Sequence, residues 1–325
     1  MTSSAVTLIQ SRDNALVKDL RRLAQDTTAY RKQGRVWLEG DHLCRAALER
    51  SVRPAMAVFS ESYWPQWQHE KALTAIKIVV MPDALFKDIS GLESPAGMGF
   101  LWDLPAAQPL DAMAATVVLD RVQDAGNVGS ILRSASAFGF RQVLAVKGSA
   151  ALWSPKVLRA GMGAHFALNL VEGVSEEDLA ALQVPLVVTS SHGGSYLHQA
   201  DLPWPCAWVM GHEGQGVAPS LEARSSLRIR IAQPGGEESL NVAAAAAICL
   251  HASGAARWGN RPCPGSPWGK SRFCYRKSML RRIILHRGLE VYGYNRGLFS
   301  QQRRPTAPKA ITHLRAAIGT RPASG

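Results

Sequence analysis

The stretch from residue 115 to residue 256 alternates short apolar runs with segments of helical periodicity, and this alternation limits the fold more than any other feature of the chain. The apolar runs predict strands at residues 117–119, 143–146, 167–171, 186–189, 207–210 and 227–231. Helical patterns separate most of these runs, which is typical of βαβ units, so we expect an α/β fold with a largely parallel sheet. A closing helix is predicted over 242–256.

A smaller α/β unit precedes this region. Its pattern predicts a helix over 13–33, a strand over 36–39, a helix over 41–50, and strands near 55–60, 76–80 and 97–101, with a helix between the first two of these three. Two prolines and no periodicity mark 104–111 as a linker. The predicted domains are therefore 1–103, 112–256 and a tail, 257–325.

The positive charge of the chain belongs to its tail. The whole sequence carries a net charge of +12, but residues 257–325 hold 15 Lys and Arg against one acid, Glu290, and the remainder sums to −2. Binding of nucleic acid through bulk charge is therefore an argument about the tail alone. This tail is predicted to be disordered, either as a basic arm that follows RNA phosphates or as a dispensable extension.

Other classes of protein are disfavoured by composition. No run of 18 uncharged apolar residues predicts a membrane span, and the first ten residues lack the pattern of a signal peptide. Five cysteines without a CxxC pair indicate neither a disulfide framework nor a zinc site, and no other metal-ligand cluster is evident. We expect a cytoplasmic protein without a metal.

Three polar motifs follow predicted strands, where open α/β sheets bind ligands. The first contains Asn127, predicted to cap a helix over 128–138 that Gly139 ends, and Arg133 near the edge of the buried helix face. The second is Gly211-His-Glu-Gly-Gln-Gly216, and the third leads through Ser239-Leu-Asn241 into five alanines. Each has an ordinary structural explanation as a cap, a tight turn or a surface arginine. No dinucleotide GxGxxG or Gly-Lys-Ser/Thr phosphate loop accompanies them, which argues against hydrolysis of nucleoside triphosphates.

Together, in this order and spacing, the motifs resemble the SpoU (TrmH-like) family of RNA ribose 2′-O-methyltransferases. The resemblance covers about 115–256, and residues 30–40 are similar to that family's substrate-binding domain, which resembles a small ribosomal protein. It implies a C-terminal α/β trefoil knot, a homodimer, and S-adenosyl-L-methionine held by backbone near Gly211, Ile231 and Leu240. The family's catalytic positions are matched here by Asn127, Arg133, Glu213, Ser239 and Asn241. Relatives often have proline where this chain has Ala125, a difference that removes no reactive group.

The chemistry implied is methyl transfer to a ribose 2′-hydroxyl. Because a guanidinium stays protonated, we expect Arg133 to stabilise the developing alkoxide while an RNA phosphate or water takes the proton. Asn127 and Ser239 would orient the ribose or Arg133, and Glu213 and Asn241 would fix the loops.

The target is expected to be a structured RNA, with ribosomal RNA favoured over transfer RNA. Trp64 and Trp67 are the better candidates for stacking on bases, because proline and glutamine around them suggest exposure. Two further hypotheses stay open: a non-catalytic RNA-binding or assembly protein, and a base or protein methyltransferase. The latter commonly needs a poised carboxylate or thiol, which Cys206 in a predicted strand and Cys249 in a predicted helix do not supply.

Overall fold

The computed structural model describes residues 6–190, 193–236 and 239–258, which form two sheets with helices packed on them. The first sheet is mixed, in the order β1-β4-β3-β5-β2, with β5 antiparallel to both of its neighbours. Its strands are β1 (Val6–Leu8), β2 (Arg35–Glu39), β3 (Met56–Ser60), β4 (Lys77–Met81) and β5 (Met98–Asp103). The helices beside it are α1 (Ala15–Gln25), α2 (Ala29–Gln33), α3 (Asp41–Glu49) and α4 (Asp83–Ile89).

Local polar contacts explain two departures from the sequence prediction here. The single helix predicted over 13–33 is two helices, because Asp26 ends α1 in an extended conformation and its carboxylate accepts a hydrogen bond from the Thr28 backbone N–H at 2.8 Å. The helix predicted between β3 and β4 is wrong, since that segment holds only two 3₁₀ turns, at Trp64–Gln66 and Lys71–Leu73. Strand β1 and helix α4 had not been predicted.

The second sheet confirms the prediction of a parallel α/β fold. Every strand pair in it is parallel, in the order β10-β12-β9-β11-β6-β7-β8. The strands are β6 (Thr116–Leu119), β7 (Gln142–Val146), β8 (Asn169–Val174), β9 (Leu186–Thr189), β10 (Ser195–Tyr196), β11 (Ala207–Met210) and β12 (Leu227–Arg230). The helices are α5 (Ala125–Ala137), α6 (Pro155–Gly161), α7 (Pro219–Ala223) and α8 (Val242–Trp258). The chain runs outward from β6 through β7 to β8 and later returns to β6's other side with β11.

The predicted cap of α5 is wrong by three residues. Asp124, not Asn127, is the N-cap: its backbone is extended and its Oδ1 accepts the Asn127 backbone N–H at 2.8 Å. Asn127 therefore lies in the first turn of the helix, and its side-chain amide is free for other contacts. Gly139, at φ +88°, follows the end of the helix as predicted.

Burial also corrects the expected stacking surface. The Trp67 side chain is almost fully buried and packs beside Phe59 and Phe100, whereas Trp64 is half-buried. The neighbours Pro65 and Gln66 are exposed, but Trp67, at the end of the 3₁₀ turn, lies in the core. Trp67 is thus a core residue and cannot stack on RNA in this structure.

Apolar side chains join the first sheet to elements that pack on the second. Leu158 of α6 belongs to the apolar core of the first sheet, and Trp102 of β5 packs on Trp153 and Phe166. Residues 104–111, predicted as a linker, contain no helix or strand. The end of this segment is held by Gln142, whose amide exchanges hydrogen bonds with the Asp111 backbone. The limits of the domains and the trefoil knot stay predictions.

Two expectations concern other parts of the chain. The predicted disorder of the tail falls, from residue 259 onward, outside the described residues. Within the described part, no helix is long and apolar enough to cross a membrane.

Candidate active site

The three motifs follow strands of the second sheet, two of which are neighbours. The first motif follows β6 and the second follows β11, which pair in parallel with Leu119 opposite Met210. The third follows β12, two strands further along. Since β6 is where the strand order changes direction, the motifs meet at the kind of sheet edge where α/β proteins bind ligands.

Glu213 is the centre of a hydrogen-bond network between the first two motifs. Its Oε2 accepts the Gln123 backbone N–H at 3.2 Å, and its Oε1 accepts the Asp124 backbone N–H and the Asn127 Nδ2, both at 3.1 Å. Desolvation alone would raise the pKa of Glu213, but these hydrogen bonds outweigh it and hold that pKa below its ordinary value. The carboxylate is therefore ionised at neutral pH and acts as an acceptor.

Asn127 extends this network to the third motif. Its Oδ1 accepts the Asn241 Nδ2 at 3.0 Å, and the Asn241 Oδ1 accepts the backbone N–H groups of Ala243 and Ala244 at the start of α8. Because ionised Glu213 can only accept, it fixes which way the Asn127 amide points. One chain of side chains, Glu213 to Asn127 to Asn241, thus joins all three motifs.

Asp120 and Arg121, which the sequence prediction missed, hold the loop that contains the second motif. The Asp120 carboxylate is fully buried, pairs with the Arg121 guanidinium, and accepts the Ala218 backbone N–H at 2.6 Å. Arg121 Nη1 donates to Gln215 Oε1 at 3.1 Å. An acid directly after a buried strand was the signal that could have found this pair.

The structure does not join Arg133 or Ser239 to this network. Both side chains are exposed, and within the described part of the chain neither has a hydrogen bond or an ion pair. Arg133 lies six residues after Asn127 on α5, which on an ideal helix separates them by about 9 Å along the axis and about 120° around it. Arg133 is therefore separate from the network and has no partner among the residues that the structure describes.

The predicted cofactor positions lie on the loops after β11 and β12. Leu240 is exposed and Ile231 half-buried. A Cβ on Gly211 would come within 2.3 Å of the Gly216 carbonyl carbon, so glycine is required there by the crossing of its own loop. Gln233, on the loop after β12, offers a different signal, since its Oε1 is buried and has no hydrogen-bond partner among the described residues. A buried acceptor left unpaired is costly for the protein alone and fits a ligand that brings a donor.

Neither thiol in this domain is poised as a nucleophile. Cys206 and Cys249 are both buried, and desolvation raises the pKa of each to about 12. The thiolate is therefore scarce at neutral pH. In the described ranges, no group of three or more His, Cys, Asp and Glu side chains is arranged to hold a metal ion.

Comparison with known proteins identifies the family. A family model described as the SpoU rRNA Methylase family matches residues 114–251. The 23S rRNA (guanosine(2553)-2′-O)-methyltransferase RlmP of Bacillus subtilis strain 168 is 30% identical over 250 residues, which cover 75% of this chain and 97% of RlmP. The chain belongs to the SpoU rRNA methylase family. The resemblance inferred from the three motifs is confirmed.

Further similarities extend over both sheets of this SpoU protein. Residues 14–99 match a model described as the MRM3-like substrate binding domain. The 23S rRNA (guanosine-2′-O-)-methyltransferase RlmB of Bordetella pertussis is 35% identical over 44% of this chain and 60% of RlmB. The crystal structure of an AdoMet-bound rRNA methyltransferase from Sinorhizobium meliloti is 26% identical, with a TM-score of 0.67, over 76% of this chain and 97% of that one.

Proposed function

We propose that this protein transfers a methyl group from S-adenosyl-L-methionine to a ribose 2′-hydroxyl of ribosomal RNA. The observation that carries the proposal is the hydrogen-bond chain from Glu213 through Asn127 to Asn241. It assembles the three family motifs at the carboxyl edge of the sheet, beside a cation that has no partner among the described residues. A protein that only binds RNA has no chemical need for this arrangement.

Arg133 would act on the hydroxyl as a fixed positive charge. A guanidinium stays protonated in proteins, so it stabilises the oxygen as its proton leaves, and an RNA phosphate or water accepts that proton. Having no intramolecular partner within the described residues, the side chain has all its donors available for RNA. Ser239, also exposed, could orient the ribose or Arg133 by a hydrogen bond.

Asn127 has a more limited part than the sequence suggested. Its Oδ1 and one Nδ2 proton are already used by Asn241 and Glu213. One Nδ2 proton remains for a ribose oxygen. The network as a whole would hold the ribose and the methyl donor in line, and such positioning can contribute roughly 7–11 kcal/mol in well-oriented reactions.

The loops after β11 and β12 would hold the cofactor. Bound there, S-adenosylmethionine supplies an electrophilic methyl group on a sulfonium. The unpaired Gln233 Oε1 fits one of its N–H or O–H groups, and Leu240 and Ile231 offer apolar contacts. Gly211 would contribute backbone only. The AdoMet-bound Sinorhizobium meliloti structure supports this choice of cofactor.

Ribosomal RNA is favoured as the substrate because RlmP and RlmB, by their names, act on 23S rRNA. The match of residues 14–99 to a substrate-binding domain supports contact with RNA through the first sheet. Transfer RNA is the alternative. The bacterial relatives also support a cytoplasmic location.

A homodimer through α5 and α8 is part of the proposal. Ile248 is 41% exposed on α8, amid alanines that leave the helix surface flat. On α5, Ser130, Arg133 and Ala137 form an exposed stripe at helical spacing. A second subunit covering these helices would bring its own surface next to Arg133. Sedimentation of the wild type and of Ile248→Lys tests this, and a wild-type monomer with full activity would contradict it.

The test of function is transfer of labelled methyl from S-adenosylmethionine to unmodified bacterial ribosomal RNA transcripts. Nuclease digestion then separates label on ribose from label on base. The full chain and a chain cut after Trp258, the last residue of α8, are compared. Ribose label from both supports the proposal without a need for the tail. Base label, or none with ribosomal or transfer RNA, would contradict it.

A further inference from the structure

Arg121 has a backbone conformation that arginine rarely adopts. It directly follows Asp120 at the end of β6, with φ +58°. The left-handed region is unfavourable for a residue with a Cβ, and glycine would avoid that cost. Strained residues persist where surrounding contacts require them and are frequent at functional sites.

The guanidinium donates three hydrogen bonds, two to Asp120 within the first motif and one to Gln215 of the second. Nε and Nη2 donate to the two carboxylate oxygens of Asp120, at 2.7 and 3.1 Å, which makes a bidentate ion pair. Nη1 donates to Gln215 Oε1 at 3.1 Å. Because Asp120 is fully buried and also accepts from Ala218, the pairing fixes the plane of the guanidinium. The arginine therefore presents a rigid donor to the second motif.

Asp120 and Arg121 together hold the loop over residues 211–217 at its start, its end and its tip. At the entry, the Asp120 backbone N–H donates to the Met210 carbonyl at 2.8 Å. At the exit, Asp120 Oδ2 accepts from Ala218. At the tip, Arg121 holds Gln215, only two residues from Glu213.

We propose that Arg121 is a positioning residue, whose guanidinium fixes the tip of the 211–217 loop and so holds Glu213 against Asn127. The inference rests on the proposed methyl transfer for its activity readout, but the contact itself can be tested without activity. Arg121 does not act on the substrate; it acts through Glu213. It would keep its unfavourable backbone conformation because glycine could not reach Gln215.

The decisive variant is Arg121→Gly, which relieves the backbone and removes the guanidinium. We expect turnover with unmodified ribosomal RNA transcripts to fall at least about tenfold, because small misplacements at a site can cost that much or more. In a Glu213→Ala background the same change should cost less than about twofold, since two residues acting through one contact are not additive. Hydrogen exchange should speed up in residues 211–217. Gln215→Ala, which leaves Asp120 paired, should speed exchange in the same loop.

Ser51→Gly is the matched control. Ser51 has φ +59°, lies in the first domain after α3 and is exposed, so the change relieves the same strain away from the site. Its activity and loop exchange should equal those of the wild type. Full activity of Arg121→Gly, losses that multiply in the double variant, or unchanged loop exchange would each overturn the proposal. If the wild type transfers no methyl, the proposed function fails, and the exchange data still decide whether Arg121 holds the loop.

Discussion

Glu213 at the candidate site and Glu172 between the two domains each accept several hydrogen bonds, but in different surroundings. Glu213 accepts from two backbone N–H groups and one amide, all within the first motif, and is exposed. Glu172 of β8 accepts from the Tyr30 hydroxyl at 2.6–2.7 Å and from the Leu152 backbone N–H at 2.6 Å, and pairs with Arg31 at 3.5 Å. Its side chain is only 19% exposed.

The surroundings of the two carboxylates differ more than their bonding. Near Glu172, the rings of Trp102, Trp153 and Phe166 pack together across the domain contact. Glu213, in contrast, is exposed, and its described hydrogen-bond donors are two backbone N–H groups and the Asn127 amide. A carboxylate in water contributes little to stability, whereas losing a partner of a buried group costs the full desolvation of that group. We therefore expect Glu213 to position loops for chemistry and Glu172 to stabilise the packing of the two domains.

The largest effect should come from Arg133→Ala. Turnover should fall at least about a hundredfold, as for loss of one preorganised donor, and the free energy of unfolding should change by no more than about 0.5 kcal/mol. Methyl transfer and urea unfolding measure the two quantities. Arg141→Ala removes another exposed arginine of the same domain and should change neither. Near-normal turnover of Arg133→Ala would rule out its catalytic role.

Next in size is Tyr30→Phe, at the other carboxylate. Removing the hydroxyl leaves Glu172 short of a partner and should lower the free energy of unfolding by about 1–3 kcal/mol, with turnover of the remaining folded protein within about twofold of the wild type. Urea unfolding measures the loss. Tyr63→Phe is a suitable control, because that hydroxyl lies 3.4 Å from Asp41 in a more exposed place. If Tyr30→Phe lost tenfold in turnover without losing stability, Glu172 would serve the reaction rather than the packing of the domains.

The smallest effect is the pH dependence of the Glu213 contact. Because folding lowers the pKa of Glu213 below its ordinary 4.5, its contribution to stability is present above that value and is lost as pH falls through the lowered pKa. The difference in unfolding free energy between wild type and Glu213→Gln should therefore shrink when pH is lowered from 7 to below about 4. At neutral pH it should be about 0.5 kcal/mol or less, because solvent screens an exposed group. A difference that grows on acidification would contradict this sign.

The sequence predicted the parallel sheet well because its strands are buried and β-branched, as at 117–119 and 186–189. It missed β1, whose three residues form a strand only by pairing with β4, more than 70 residues away. It placed the α5 cap at Asn127 because asparagine and aspartate are both good caps. Trp67 was misjudged because exposed neighbours say little about which way a 3₁₀ turn directs a side chain.

The site was only partly predictable for a related reason. The motifs named Asn127, Glu213 and Asn241, and strand order brought their loops together. The hydrogen bonds among these side chains depend on the orientation of the Asn127 amide, and the sequence carries no information about that orientation. Arg121 escaped notice because its role depends on a left-handed backbone and on Gln215, 94 positions later.

The bond between Asn127 and Asn241 spans 114 positions of the chain. By the time a ribosome adds Asn127, all five strands of the first sheet have been synthesised, whereas both partners of β6, β7 and β11, are still to come. Asn241 and α8 are synthesised last of the described elements, so the hydrogen bond between Asn127 and Asn241 cannot form until then. Contacts of such separation form slowly, and any nascent chain that stops before residue 241 lacks the third motif. Completion of synthesis through α8 is therefore the event that would switch the enzyme on.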